Sequence, residues 1–405
     1  MSLSFPVELV LEVVQYLRFD PPALCSCSLV SQHLAQVCRQ YLYHRIELKN
    51  AISLRDRYNK LLDTLEKNPS LTEYTSELKL YMGMQVERDF CLAFDEKLPR
   101  FLANFHKIEK LTLTCQRHAT IDYITHSVEW PFARLFSLKT LREVSIENVP
   151  MFPAALLQYA PHITHLHLSS VSIDPIRTFH GCPPPPTAGN LDLPFYLSLS
   201  TCRSDPIYVL TGLLQTGGHL SHFCKRISKL FLKPREGKLS DIQPYLRFME
   251  ILSSVQRAGG GTPALKHLTL ALDAADVEYA KLGAYLPTTI TSLVLDVSVM
   301  GWSFDKYGPE VQAFFNKLTL PWHHLRTFEF KLHASSMEME AAKPTAPRLT
   351  SVLDTRLSSQ HFPKLEECLC TIVFDQSWLI NDDTATEIGM DGVVIRYEEI
   401  EDGFV

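Results

Sequence analysis

Cys25-x-Cys27, Cys368-x-Cys370 and the trio His162, His165 and His167 are the residues whose types and spacing could do chemistry. Thiolate and imidazole are zinc ligands, and a structural zinc site needs about four of them in tetrahedral array. Neither cysteine pair has the two-residue gap of a zinc knuckle, and no second pair lies nearby in sequence. His165 and His167 alternate with Leu166 and Leu168, so in a strand both imidazoles share one face and lack a third ligand. Cys368 and Cys370 occupy apolar places in a recurring motif described below, which predicts core thiols. The chain has no G-x-S-x-G, no Walker loop, no H-E-x-x-H and no C-x-x-C. Gly259-Gly260-Gly261 lacks the strand, lysine and hydroxyl of a phosphate cradle and reads as loop. The expectation is a non-enzyme with no metal and no cofactor. A hydrolase with a composite site is the rival that spacing leaves unsupported.

Along the chain a six-residue pattern recurs: apolar, two mostly polar, apolar, any, apolar. It runs Ile108 to Leu113, Leu141 to Ile146, Ile163 to Leu168, Ile227 to Leu232, Leu265 to Leu270, Ile290 to Leu295, Leu325 to Phe330 and Leu365 to Cys370. Weaker copies stand at Glu77-Leu78-Lys79-Leu80 and Tyr196-Leu197-Ser198-Leu199. Successive clear copies start 22 to 64 residues apart, the longest gap being about two periods. Such a spacing is the signature of a stacked repeat array. Each copy alternates like a short strand, and helix-like stretches (Ala154–Tyr159, Ile242–Val255, Pro309–Lys317) lie between copies. Residues between the inward leucines then line the opposite face. Candidate ligand-binding residues there are His165, His167, Lys229, Phe231, Lys233, His267, Glu329 and Lys331. Mixed charge around an aromatic ring fits a protein ligand better than a phosphate polymer.

Gly181–Asn190 with four prolines, Ala258–Pro263 and Ala334–Pro347 have loop compositions. The acidic end from Tyr397 to Val405 reads as a solvated, frayed tail. With 39 Lys+Arg against 45 Asp+Glu the net charge is −6, a poor balance for general nucleic-acid or membrane binding. The start of the chain is not a signal peptide and no run suits a membrane span, so cytosol or nucleus, with reduced thiols, is expected.

The first fifty residues have a different texture. Leu9, Val13 and Leu17 recur every four residues as one apolar stripe, Asp20-Pro21-Pro22 ends that helix, and short helices follow near Ala23–Val30 and Gln32–Tyr41. Phe5-Pro6-Val7-Glu8-Leu9, then Val13, Leu17 and Leu24, then Leu29-Val30 and Leu34, resembles an F-box, with Ile46-Glu47-Leu48 as the strand leaving it. Phe5 stands where the family usually has leucine, and Leu34 where many members have tryptophan. The resemblance implies a three-helix module whose Phe5, Pro6, Glu8, Leu9, Val13, Leu17, Leu24, Leu29, Val30 and Leu34 supply core and adaptor contacts. It implies docking on the Skp adaptor and, through it, a cullin-RING ubiquitin ligase of SCF type, with the rest of the chain capturing a protein substrate.

The later part resembles leucine-rich repeats more loosely. The asparagine of that family is absent, its places being held by Gln116, Val171, Asp273 and Ser298. The expected fold is therefore α/β: a three-helix F-box at 1–48, then an irregular leucine-rich-repeat-like solenoid with parallel strands at 49–405. The alternative is a repeat scaffold unrelated to ubiquitination whose N-terminal helices merely cap the solenoid, since repeat arrays need a polar-faced end.

Overall fold

A computed structural model describes residues 7–48, 54–83, 91–115, 126–174, 182–185, 193–202, 207, 210, 212, 221–234, 239–258, 265–273, 289–298, 324–335, 362–375, 388–390 and 393–400. The chain divides into two compact units, residues 1–167 with 171–191 and residues 168–170 with 192–405.

The first unit opens with α1 (Val7–Tyr16), α2 (Pro21–Ser28) and α3 (Gln32–Leu42), followed by β1 (Arg45–Leu48) and α4 (Leu54–Lys67). A 3-10 segment at Pro69–Tyr74 leads into β2 (Glu77–Tyr81). Next come α5 (Leu98–Ala103), β3 (Lys110–Thr114), α6 (His126–Phe136), β4 (Glu143–Glu147), β5 (Phe152–Pro153), α7 (Ala155–Gln158), β6 (His165–Ser169) and β7 (Ile173–Asp174). Strands β1 to β4 lie in sequence order, each parallel to the next, with Leu78, Leu111 and Val144 in one row and Leu80, Leu113 and Ile146 in another. All six of these side chains are buried. Parallel neighbours need a crossover, and α4, α5 and α6 supply it, each with large apolar residues turned inward: Tyr58, Phe101 and Phe136 are fully buried. Tyr58 and Phe101 meet edge-on, with ring centroids 5.4 Å apart. β5 and β7 make a separate two-stranded parallel ribbon that the motif did not announce.

The second unit contains β8 (Phe195–Cys202), α8 (Ser221–Cys224), β9 (Ile227–Pro234), α9 (Leu239–Ala258), β10 (His267–Asp273), β11 (Ser292–Ser298), β12 (Thr327–Ser335), β13 (Glu367–Asp375), β14 (Ile388–Met390) and β15 (Val393–Ile400). Strands β8 to β13 are again consecutive and parallel. One core row reads Leu197, Leu230, Leu268, Leu293, Phe328 and Cys368, one motif position carried across six strands. Cys368 is buried there, as the core-thiol reading expects.

Every clear motif copy, and both weak ones, coincides with a β-strand. Several expectations are corrected. The acidic end is not all frayed tail: Tyr397 to Ile400 belong to β15, which pairs parallel with β13 and antiparallel with β14. The β-prone run Val393-Val394-Ile395 carries the acidic residues behind it into the sheet. Asparagine is not wholly missing from the motif. Asn148 holds the eighth place of the second copy and turns the chain out of β4 with φ 56°, a left-handed conformation that asparagine tolerates. Ala334 and Ser335, assigned to a loop, extend β12. α2 starts at Pro21 rather than Ala23, because proline suits the first helical position and Asp20 caps it. The expected helix at 309–317, the triple glycine and most of the proline-rich loop lie outside the described residues.

Candidate functional site

Two surfaces hold the residues singled out from sequence. The first is built by α1, α2 and α3. Asp20 accepts a hydrogen bond on Oδ1 from the Ala23 amide (3.0 Å), and Ser31 accepts one on Oγ from the Leu34 amide (3.1 Å), so both later helices begin at side-chain caps. Their small core is Val14, Leu24, Val37 and Cys38, with Leu17, Cys27, Leu34, Tyr41 and Leu42 packed around it.

The expected stripe of Leu9, Val13 and Leu17 is split by this packing. Leu17 packs inward as expected, but on the turns before it the core takes Val14, with Val10 half-buried, one residue on from Val13 and Leu9, a rotation of about 100°. Leu9 and Val13 face out, at 45% and 54% exposed, and Tyr16 continues their row at 80%. Phe19, Leu29 and Val30 are 82%, 87% and 73% exposed. Glu8 is exposed beside Leu9. Leu24, at 1%, has no surface to offer a partner and acts through the core, as do the half-buried Leu17 and Leu34. Phe5 and Pro6 lie outside the described residues. Sequence reasoning missed Tyr16 and Phe19; the signal was available, since Tyr16 follows Leu9 and Val13 at helical spacing. The Arg18 guanidinium sits 4.5 Å from the Phe19 ring centroid. So many large apolar side chains crowded into two dozen residues exceed scattered surface exposure.

The second surface is the sheet face opposite the leucine rows. In the first unit it is charge-matched: Arg45, Glu77, Lys110 and Glu143 stand in register across β1 to β4. Arg45 pairs with Glu47 (3.1 Å), Lys79 with Glu47 (3.5 Å) and Lys110 with Glu143 (3.3 Å). His165 and His167 belong to this unit, His165 exposed and within 3.0 Å of Thr164 Oγ1, His167 half-buried. Burial lowers the His167 pKa against the opposing pull of Glu147.

In the second unit Lys229, Phe231 and Lys233 alternate along β9, with Lys229 in register with His267 and Phe231 with Thr269 on β10. Glu329 and Lys331 lie on β12, beyond β11, and pair with each other at 3.3 Å. Thr371, in register with Lys331 on β13, is buried and donates to Glu329 Oε1 at 3.2 Å. Lys229, Phe231, Lys233 and His267 are thus brought together, and Glu329 and Lys331 form a separate pair. Phe231 is half-buried, less open than strand alternation alone implies. Burial first, then the Lys229 and Lys266 charges, hold the His267 pKa below its ordinary value.

Among the described residues no group of three or more His, Cys, Asp or Glu is arranged to hold a metal ion, and no helix is long and apolar enough to cross a membrane. No curated protein matches the chain. Residues 3–49 match the F-box-like family model. The helical module with its exposed apolar surface is therefore an F-box-like domain, a type that generally binds Skp adaptors.

Proposed function

We propose that this chain is the substrate-recognition subunit of an SCF-type cullin-RING ubiquitin ligase. The observation that carries the reading is the apolar surface of Leu9, Val13, Tyr16, Phe19, Leu29 and Val30, left open by a domain that matches the F-box-like model. Burying such side chains against a partner stabilises a complex by roughly 1.5–3 kcal/mol each when burial is complete. Phe5, Pro6 and Glu8 belong to the same docking segment, while Leu17, Leu24 and Leu34 hold the helices that present it. The remainder is an irregular leucine-rich-repeat-like solenoid whose polar sheet face captures a protein. Register-matched leucine rows on consecutive parallel strands support that reading. The chain itself is no enzyme and needs no cofactor. It supplies proximity, holding a bound protein near activated ubiquitin and so raising its effective concentration. It works in the cytoplasm or nucleus, without nucleic-acid or membrane partners.

The helices also lead directly into β1, which stands at the end of the strand order in its unit, as a solenoid cap would. A cap, however, turns a polar face to solvent, whereas this module turns out tyrosine, phenylalanine, leucine and valine. Co-expression with a Skp adaptor separates the two. A stoichiometric complex that survives gel filtration, and is lost in a Leu29→Asp/Val30→Asp chain of unchanged melting temperature, supports the receptor. Failure of the wild-type chain to bind any Skp adaptor refutes it and leaves the cap.

A further inference from the structure

Among the described side chains, cations elsewhere on the sheet face are matched by carboxylates: Arg45 and Lys79 by Glu47, Lys110 by Glu143, Lys331 by Glu329. β9 and β10 break the rule. Lys229 and Lys233 make no ion pair among the described residues, and they flank the half-buried Phe231 ring on one strand face. His267 stands in register beside Lys229 and adds an imidazole N–H to the same corner. Two cations on one face without a matching carboxylate offer charge complementarity to an anionic ligand.

We propose that the β9–β10 face binds an extended, acidic protein segment of the pattern acid-x-apolar-x-acid, its apolar side chain on Phe231 and its carboxylates at Lys229 and Lys233. The inference rests on the receptor reading and names the class of substrate segment it captures. Strand geometry sets the spacing. Residues two apart on β9 are about 6.7 Å apart, so the two ammonium groups are rooted about 13 Å from each other with the ring midway. An extended peptide repeats that interval every second residue, which brings acid, apolar and acid side chains over Lys229, Phe231 and Lys233 in turn. A long phosphate polymer fits less well, because Asp296, Glu329 and Glu367 stand on the same face two to four strands away and repel it.

The test titrates the full-length chain into a fluorescein-labelled peptide, Gly-Ser-Glu-Ser-Leu-Ser-Glu-Ser-Gly, read by anisotropy at 50 mM and 300 mM salt. Saturable binding is expected, weakened at least tenfold by Lys229→Glu/Lys233→Glu, by Phe231→Ala and by exchanging the peptide's leucine for serine, and weakened by salt. A peptide with lysine in place of both glutamates should not bind. Absence of binding, equal binding by the charge-reversed chain of unchanged melting temperature, or tighter binding of a single-stranded oligothymidine overturns the proposal. The Lys229→Glu/Lys233→Glu chain should retain the Skp adaptor in a pull-down. Adaptor docking can therefore fail or succeed independently of the peptide titration.

Discussion

Leu29→Ala separates a docking surface from a folding core within one 47-residue domain match. The Leu29 side chain is 87% exposed, so its truncation removes little that the folded chain uses. Three carbon atoms are lost, worth about 2.4 kcal/mol at about 0.8 kcal/mol per buried methylene-sized group. If an adaptor covers the exposed fraction, about 2 kcal/mol of binding energy goes with them, close to a thirtyfold rise in Kd. Leu24→Ala makes the same chemical change at a site 1% exposed, inside the cluster with Val14, Val37 and Cys38. It should cost about 3 kcal/mol of stability through lost burial and a residual cavity. Calorimetric titration with a Skp adaptor and urea unfolding of both variants give four numbers. Leu29→Ala should move only the affinity. Leu24→Ala should move mainly the unfolding midpoint. A Leu29→Ala chain that loses stability while binding the adaptor normally would mean the exposed row covers another part of this protein, and the docking argument would fall.

Acid should weaken the folded state through its histidines. Burial lowers the His167 and His267 pKa values, and burial together with the neighbouring Arg134 lowers that of His106. Each folded value thus lies below the unfolded one of about 6.5, so the stabilisation is complete above that pH and declines as pH falls below it. Urea midpoints should drop between pH 7.5 and 5.5, and His167→Gln should flatten the drop; an identical pH profile in that variant refutes the assignment. Thiol reactivity should divide by burial. Cys25 is exposed, whereas burial pushes the Cys224 thiol up to about 12 and raises those of Cys38, Cys91 and Cys115. Native alkylation followed by mass spectrometry should label Cys25 and leave those four until urea is added. Modification of Cys115 in the native chain at the rate of Cys25 would contradict the packing.

What was legible in the sequence is what repeats. A strand motif copied every few dozen residues announces its core row because each copy solves the same burial problem: Leu230, Leu268, Leu293 and Phe328 had to face one way if any of them did. The F-box-like helices were legible as helices for a related reason, since Asp20, Pro21 and Ser31 terminate and restart the chain by local chemistry alone. Their faces were not. α1 has a broad apolar face opposite Glu8, Glu12 and Gln15, with Leu9, Val10, Leu11, Val13 and Val14 in one turn and a half, so period alone cannot decide which residues the core takes. The decision comes from α2 and α3, which bring Leu24, Val37 and Cys38 against Val14 and leave Val13 outside. The C-terminal strand shows the converse. Its acidic residues drew attention to charge, while Val393 to Tyr397 and the preceding Asp391-Gly392, a dipeptide favoured in tight hairpins, carried the strand signal. The unmatched cations of β9 needed both kinds of information. Sequence placed Lys229, Phe231 and Lys233 on one face, but only the register to β8 and β10 sets Tyr196 and His267 beside Lys229 and no carboxylate. A missing partner is a property of neighbours across strands. It becomes visible once the register is known.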